Sequence, residues 1–86
     1  MRTLRQLGLK FHGLDFGMAI AALGNFGHPH ANADTLDSFG ATELLGCLVM
    51  AHHDLKMHQD GTPEDYARIT RMTDTIRTAI HSNRNG

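Results

Sequence analysis

Histidine is the residue type in this sequence with the widest range of chemistry. The 86 residues include seven histidines, and the neutral imidazole ring is a common ligand of zinc and nickel. Six of them lie in segments where a metal site has to be considered: His12, His28, His30, His52, His53 and His58. The adjacent His52 and His53 diverge by about 100° on a helix, so together they do not make a two-ligand site.

Two other pairs have better spacing. Asp54 and His58 are four residues apart, so on a helix they share one face and can offer two ligands. The sequence His28-Pro29-His30 offers two more imidazoles in a loop. Nothing in the sequence brings this loop to that helix, and we favour surface or hydrogen-bonded histidines over a zinc or nickel site. The candidate ligands of such a site are His28, His30, Asp54 and His58.

Catalytic chemistry has weaker support than metal binding. Cys47 is the only thiol, and it lies in the apolar segment 44–50, where we expect it to fill the core rather than act as a nucleophile. Asp54 and His58 have the spacing of an acid and a base, but such i,i+4 pairs are more often surface ion pairs. The sequence has no nucleophile elbow, dinucleotide-binding turn or phosphate loop. We therefore do not expect an enzyme, and the only cofactor considered is the transition metal.

The C-terminal helix has the clearest sequence signal. The segment 62–65 supplies a threonine hydroxyl as a cap, a proline at the first helical position and two acids near the positive end of the helix dipole. Apolar side chains then recur at steps of three and four along residues 63–82: Tyr66, Ile69, Met72, Ile76, Ala79 and Ile80. Helix spacing also predicts two ion pairs, Glu64 with Arg68 and Asp74 with Arg77.

A second helix is predicted over residues 41–58. Its apolar seam consists of Leu44, Leu48, Ala51, Leu55 and His58. Leu45 and Val49 widen this stripe, so we expect the helix to be deeply buried. Gly61 is predicted to end it in a left-handed conformation. Because the connection to the next helix is so short, helices 41–58 and 63–82 are predicted to form an antiparallel hairpin.

The N-terminal third fits two interpretations. As a helix, residues 3–18 would have to be buried on two sides, and their three glycines would cost about 1 kcal/mol each. As a β-hairpin turning at residues 12–13, they would pair residues 9–10 with residues 15–16. The sequence therefore does not decide whether residues 3–12 form a helix or a strand.

A weak internal similarity favours a short helix after this segment. Residues 14–17 read Leu-Asp-Phe-Gly, and residues 36–40 read Leu-Asp-Ser-Phe-Gly. Each copy precedes an Ala- or Leu-rich stretch, so the aspartate of each is predicted to cap a helix. We favour a helix from about 16 to 23, closed by Gly24. Residues 24–34 then form a loop long enough to suspect of a role.

Together these elements predict a mainly α fold, a small helical bundle built around the hairpin. The alternative is an α+β fold with an N-terminal β-hairpin. The 86 residues fit one domain, with residues 82–86 predicted to fray. Small domains without disulfides often complete their core by pairing, so we expect self-association into a homo-oligomer.

Charge is distributed unevenly along the chain. Residues 1–12 carry three basic and no acidic side chains, residues 13–65 carry eight acids and one lysine, and residues 66–86 carry four arginines and one aspartate. Polyanions prefer one continuous basic face, so we do not expect a nucleic-acid partner. One feature favours DNA binding instead. Arg68, Arg71 and Arg77 lie on a helix that follows another helix across a tight turn, an arrangement loosely typical of DNA-binding regulators.

The remaining features of the sequence favour binding to another protein. No apolar run approaches the roughly 18 residues of a transmembrane helix, so we expect no membrane partner, and the lone cysteine indicates a reducing, cytoplasmic location. Phe26 lies in a polar loop, and Met18, Met50, Met57 and Met72 are adaptable packing groups. We therefore predict a non-catalytic protein-interaction module: an adapter, regulator or inhibitor. The alternatives are a histidine-rich transition-metal-binding protein and a DNA-binding regulator that uses its C-terminal helix.

Overall fold

In the described part of the chain, three α-helices pack around an apolar core. The computed structural model describes residues 2–59 and 61–85, with the backbone alone at 83–85. The helices are α1 (Leu14–Asn25), α2 (Ala41–His58) and α3 (Pro63–Asn85), and a 3-10 turn at Leu36–Ser38 precedes α2. α2 contacts both α1 and α3. The predicted mainly α fold, built around a hairpin of α2 and α3, is confirmed.

The core forms because each helix carries a stripe of apolar side chains on the side that faces the others. The buried set is Leu4, Ala19, Ala22, Leu23, Leu36, Ala41, Leu44, Cys47, Leu48, Ile69, Met72 and Ile76. The helix-spaced residues of the predicted stripes supply its centre, with Leu44 and Leu48 from α2 and Ile76 from α3 fully buried. Burying side chains of this size contributes about 1.5–3 kcal/mol each.

α3 begins as its sequence predicts. The Thr62 hydroxyl accepts a hydrogen bond from the Asp65 backbone N–H at 3.1 Å, and the Asp65 carboxylate accepts one from the Thr62 N–H at 3.1 Å. This reciprocal pair satisfies two backbone donors that a helix start otherwise leaves unpaired. The helix runs to Asn85, so residues 82–85 continue it rather than fray, and Gly86 lies outside the described residues.

The bend between α2 and α3 differs from the prediction in one residue. Gln59, and not Gly61, takes the left-handed conformation that ends α2, with φ of 57°. Gly61 matters for a different reason: a Cβ at this position would lie 2.7 Å from the Tyr66 ring, so any other residue here would push the ring aside. The absence of a side chain at Gly61 therefore lets the Tyr66 ring pack over the bend.

The N-terminal segment is neither the predicted helix nor the predicted β-hairpin. Residues 4–8 form turns, and the described part of the chain contains no strand beyond an isolated bridge between Thr3 and Gly40. Leu4 is buried, and its N–H donates to the Phe39 carbonyl at 3.0 Å. The hairpin alternative is wrong because this segment pairs with the loop before α2, while its predicted partners, residues 15–16, are already helical.

α1 starts two residues earlier and ends two residues later than predicted. Gly13, with φ of 59°, precedes the helix, which continues through Gly24 to Asn25. Asp15 lies inside the first turn and makes no cap hydrogen bond. Asp37 likewise lies in the 3-10 turn, and no side chain caps α2. Both predicted aspartate caps are wrong.

Candidate functional site

The predicted metal ligands fall into separate places. His58 Nε2 lies 3.3 Å from Asp54 Oδ1, as their spacing predicts. His28 Nε2 instead lies 3.5 Å from Glu43 Oε2, and His30 is exposed in the loop. Across residues 2–59 and 61–85, no three His, Cys, Asp or Glu side chains are arranged to hold a metal ion. The structure therefore brings together only the Asp54–His58 pair of the four candidates.

Cys47 occupies the core position that the sequence predicts. It is buried, and its thiol donates to the Phe26 carbonyl at 3.6 Å. Burial raises the pKa of the Cys47 thiol, and the nearby Glu43 carboxylate raises it further. Because a nucleophilic cysteine needs a lowered pKa, this environment suits packing and not covalent catalysis.

Of the two ion pairs predicted for the arginines of α3, one differs from the prediction and one is observed. Arg68 Nη1 lies 2.9 Å from Asp15 Oδ1 on α1, and Arg71 Nη2 lies 3.7 Å from the same oxygen. Glu64 is therefore not the observed partner of Arg68, because the carboxylate on α1 lies beside its guanidinium in a half-buried position. The other predicted pair is confirmed, with Arg77 Nη1 3.7 Å from Asp74 Oδ1.

One side of α2 leaves large apolar side chains in solvent. Val49, Met50 and Met57 are 45%, 50% and 67% exposed. With Gly46 and His53, both exposed, they form a stripe about 100° wide along the helix. We call these five residues the outer face of α2. The expectation that Val49 extends the buried stripe is wrong, since Val49 lies on the side away from Leu44 and Leu48.

A groove of about 530 Å³ lies along this face. Its lining consists of Phe26, Val49, Met50, His53, Asp54, Met57 and His58. Phe26 comes from the loop after α1, where its carbonyl is held by the Cys47 thiol. The floor is therefore apolar, and the Asp54–His58 pair adds polar groups at the rim. An apolar centre with a polar rim is the usual composition of a protein-binding surface.

Two further clefts are smaller, at about 240 and 200 Å³. The first is lined by Leu4, Leu9, Lys10, Phe11, His12, Phe16, Leu36 and Asp37. The second is lined by Val49, His52, Ile69, Thr70, Thr73 and Arg77. Both volumes fall below the roughly 300 Å³ at which small-molecule sites begin. Val49 borders both the second cleft and the larger groove, so the two are neighbours across α2.

The sequence singles out Phe26, Met50 and Met57 of this surface without placing them together, and its periodicity assigns Val49 to the core instead. Phe26 and the methionines stood out by type, but the groove depends on how the loop after α1 folds back onto α2. A signal was present in α2 itself, since Gly46, Met50, His53 and Met57 recur at steps of four, three and four. That is a second stripe on the side opposite the core.

Comparisons with protein families, curated proteins and solved structures find no match to this chain. Within the described residues, no helix combines the length and the apolar character needed to cross a bilayer. The function therefore has to be inferred from the side chains of this chain.

Proposed function

We propose that this chain is a non-catalytic protein-interaction module that works as an adapter, regulator or inhibitor through the outer face of α2. The observation that carries the proposal is the exposure of Val49, Met50 and Met57 beside one groove. Covering the exposed half to two-thirds of such a methionine contributes about 1–2 kcal/mol. A contiguous apolar surface with a polar rim is typical of a binding site, whereas a single exposed apolar residue is not.

The chemistry of the groove also suits a protein partner. Met50 and Met57 are unbranched and polarisable, so they adapt to the shape of an apposed side chain. Phe26 adds an aromatic ring to the floor, and aromatic residues are enriched at the centres of protein interfaces. Asp54 and His58 offer hydrogen-bonding groups that fix the orientation of a partner.

Transition-metal binding is the second candidate, favoured by the Asp54–His58 contact of 3.3 Å alone. Two ligands on one helix turn need others from elsewhere to complete a zinc site. Titration with zinc chloride in a calorimeter tests this candidate, using His58→Ala and, as the control, His30→Ala. Saturable binding that is lost only in His58→Ala supports the site; no binding, or equal binding by both variants, contradicts it.

DNA binding through α3 has less support. Arg68 is occupied by Asp15, which also attracts Arg71, and α3 opens with Glu64 and Asp65. A phosphate backbone would have to compete with these carboxylates for the same cations. We retain the cytoplasm as the proposed location, because the single thiol is free and proteins of oxidising compartments favour paired cysteines.

Site-specific photo-crosslinking tests the proposal. A photoreactive amino acid replaces Met57 in the groove, and in a control protein it replaces Ala21, an exposed residue of α1. We expect irradiation in living cells to join the Met57 variant, and not the Ala21 variant, to a protein, with the product identified by mass spectrometry. No product, or equal products at both positions, would contradict an interaction through the groove.

A further inference from the structure

We propose that Met50, His53 and Met57 form a binding site for a soft monovalent cation, copper(I), on the outer face of α2. All three residues line the groove described above. Thioether sulfur and imidazole nitrogen are ligands that suit copper(I). The proposal goes beyond the proposed function, because a metal site of this kind needs no protein partner.

Helix geometry brings the three side chains together. Met50 precedes His53 by three residues and Met57 follows it by four, and side chains at these two spacings are neighbours, with Cβ atoms about 5–6 Å apart. At 100° per residue, all three lie within an arc of about 60° on the helix. Side chains on a helix lean toward its N-terminus, so Met57 leans toward His53 and His53 leans toward Met50. The imidazole therefore has a thioether one turn away on each side.

The three side chains are accessible to an ion from solution. The two methionines are 50% and 67% exposed, and His53 is exposed between them. The other imidazoles of α2 are engaged elsewhere. His52 packs against the Tyr66 ring at a centroid distance of 5.2 Å, and His58 Nε2 lies 3.3 Å from Asp54 Oδ1. His53 is therefore the imidazole of α2 that is placed to bind an ion together with the methionines.

A protein-binding surface alone does not account for this combination. A polar ring in the middle of an apolar stripe reduces the apolar area that a partner can cover. Leucine in place of each methionine would supply apolar contact with a better defined conformation. The methionines differ from leucine in their polarisable sulfur. A soft metal ion uses this sulfur and the ring nitrogen of His53 at the same time.

The surroundings favour a singly charged ion over zinc or copper(II). The groove has an apolar floor that includes Phe26 and Val49, and the cost of moving an ion out of water rises with the square of its charge. Zinc binds thiolate, imidazole and carboxylate rather than neutral thioether. Asp54 adds a carboxylate to the lining, and no lysine or arginine of the described chain lines the groove. The local charge therefore suits a cation.

Cys47 is the strongest soft ligand of the chain, and the fold keeps it out of this site. It is 5% exposed, and its thiol donates to the Phe26 carbonyl. Burial raises the pKa of the Cys47 thiol, whereas a metal ion binds the thiolate. The proposed site therefore consists of neutral ligands. Because these ligands carry no charge of their own, they suit reversible binding of copper(I).

Competition with a coloured copper(I) chelator, bicinchoninate, tests the site. Untagged protein is mixed with copper(I) in oxygen-free buffer that contains ascorbate, and the absorbance of the chelator complex reports the copper that the protein does not hold. We expect one copper ion per chain. Met50→Leu, Met57→Leu and His53→Ala should each weaken binding at least about tenfold, because each removes a ligand. The matched control is His58→Ala, which removes an exposed imidazole of the same helix and should change the affinity less than about twofold.

Nuclear magnetic resonance with silver(I), a soft cation that does not change its oxidation state in buffer, locates the ligands in the unmodified chain. The methionine ε-methyl groups carry carbon-13, and silver nitrate is added in chloride-free buffer. We expect the methyl signals of Met50 and Met57 to shift and that of Met72, which is 1% exposed, to stay in place. Unchanged Met50 and Met57 signals would overturn the proposal.

The copper competition can contradict the proposal in several ways. Absence of copper(I) binding would overturn it, and so would equal binding by the unmodified chain and Met57→Leu. Loss of binding in Cys47→Ala together with full binding in His53→Ala would place the ion at the thiol and likewise overturn it. An equal loss in His58→Ala and His53→Ala would overturn the assignment of His53.

The proposed function is tested separately from this site. Met57→Leu removes the sulfur and keeps the apolar surface, so it should leave binding of a protein partner unchanged. Copper(I) binding by a chain that crosslinks to no protein would support this inference and contradict the proposed function. Crosslinking through the groove without copper(I) binding would overturn this inference and leave the proposed function standing.

Discussion

The ion pair between α1 and α3 gives the sharpest prediction about the fold. Arg68 and Asp15 are 17% and 25% exposed, and their charged atoms are 2.9 Å apart. At an effective dielectric constant near 20, the attraction between unit charges at about 4 Å is roughly 4 kcal/mol. Desolvation and lost side-chain freedom offset most of it, and a charge-assisted hydrogen bond of this kind contributes about 1.5 kcal/mol net.

A double-mutant cycle isolates this contribution. Asp15→Asn and Arg68→Gln are made singly and together, and the free energy of unfolding is measured in urea. We expect a coupling energy of about 1–2 kcal/mol, and each kcal/mol lowers the Tm of a domain this size by about 4–8 °C. Small domains have a total stability near 5 kcal/mol, so the loss is a large fraction of it.

The matched control is the exposed pair on α3. Asp74 and Arg77 are 68% and 55% exposed and 3.7 Å apart, so Asp74→Asn with Arg77→Gln should give a coupling of about 0–0.5 kcal/mol. Glu64→Gln should change stability by less than about 0.5 kcal/mol, because Glu64 is an exposed surface residue. The reasoning is refuted if the Asp15–Arg68 coupling is no larger than that of the exposed pair.

Further outcomes are expected from the core, from the start of α3 and from Cys47. Thr62→Ala should lower the free energy of unfolding by about 1 kcal/mol, because the Asp65 backbone N–H loses the hydroxyl that accepts its hydrogen bond. A urea titration measures the change, and no change would contradict the capping role. Leu48→Ala should lower the free energy of unfolding by about 2–5 kcal/mol in the same assay, because Leu48 is buried. Met57→Ala in a dilute sample should lower it by less than about 0.5 kcal/mol. Similar losses in the two variants would contradict the assignment of core and outer face. Cys47 should react with a thiol reagent at pH 8 far more slowly in the folded than in the urea-unfolded chain, because burial raises its pKa; equal rates would contradict its burial. Since that pKa is raised in the folded state, stability should also fall as the pH rises above the unfolded thiol value.

Features that depend only on interactions between residues close in the chain were predictable from the sequence. The start of α3 follows from Thr62 and Pro63, because a cap and a first-turn proline act within one helical turn. The buried stripe of Leu44 and Leu48 follows from their helical spacing. These features determine the α2–α3 hairpin and hence the fold class.

Features that depend on distant parts of the chain were not predictable in the same way. The partner of Arg68 is Asp15, 53 residues away, whereas helix spacing alone pointed to a carboxylate four residues away. The N-terminal segment takes its structure from backbone hydrogen bonds with residues 37, 39 and 41, so neither its helical nor its hairpin pattern applied. The groove likewise arises from the return of Phe26 onto α2, a contact that periodicity does not contain.

The most direct test of an occupied outer face is hydroxyl-radical footprinting of the methionines by mass spectrometry. Met57 and Met50 are exposed in the isolated chain, and Met72 is buried and serves as the internal reference. We predict that Met57 and Met50 are oxidised readily in dilute purified protein and are protected in the cells that produce it, while Met72 is slow in all samples. Oxidation of Met57 and Met50 at the same rate in every sample would contradict a binding function for this face.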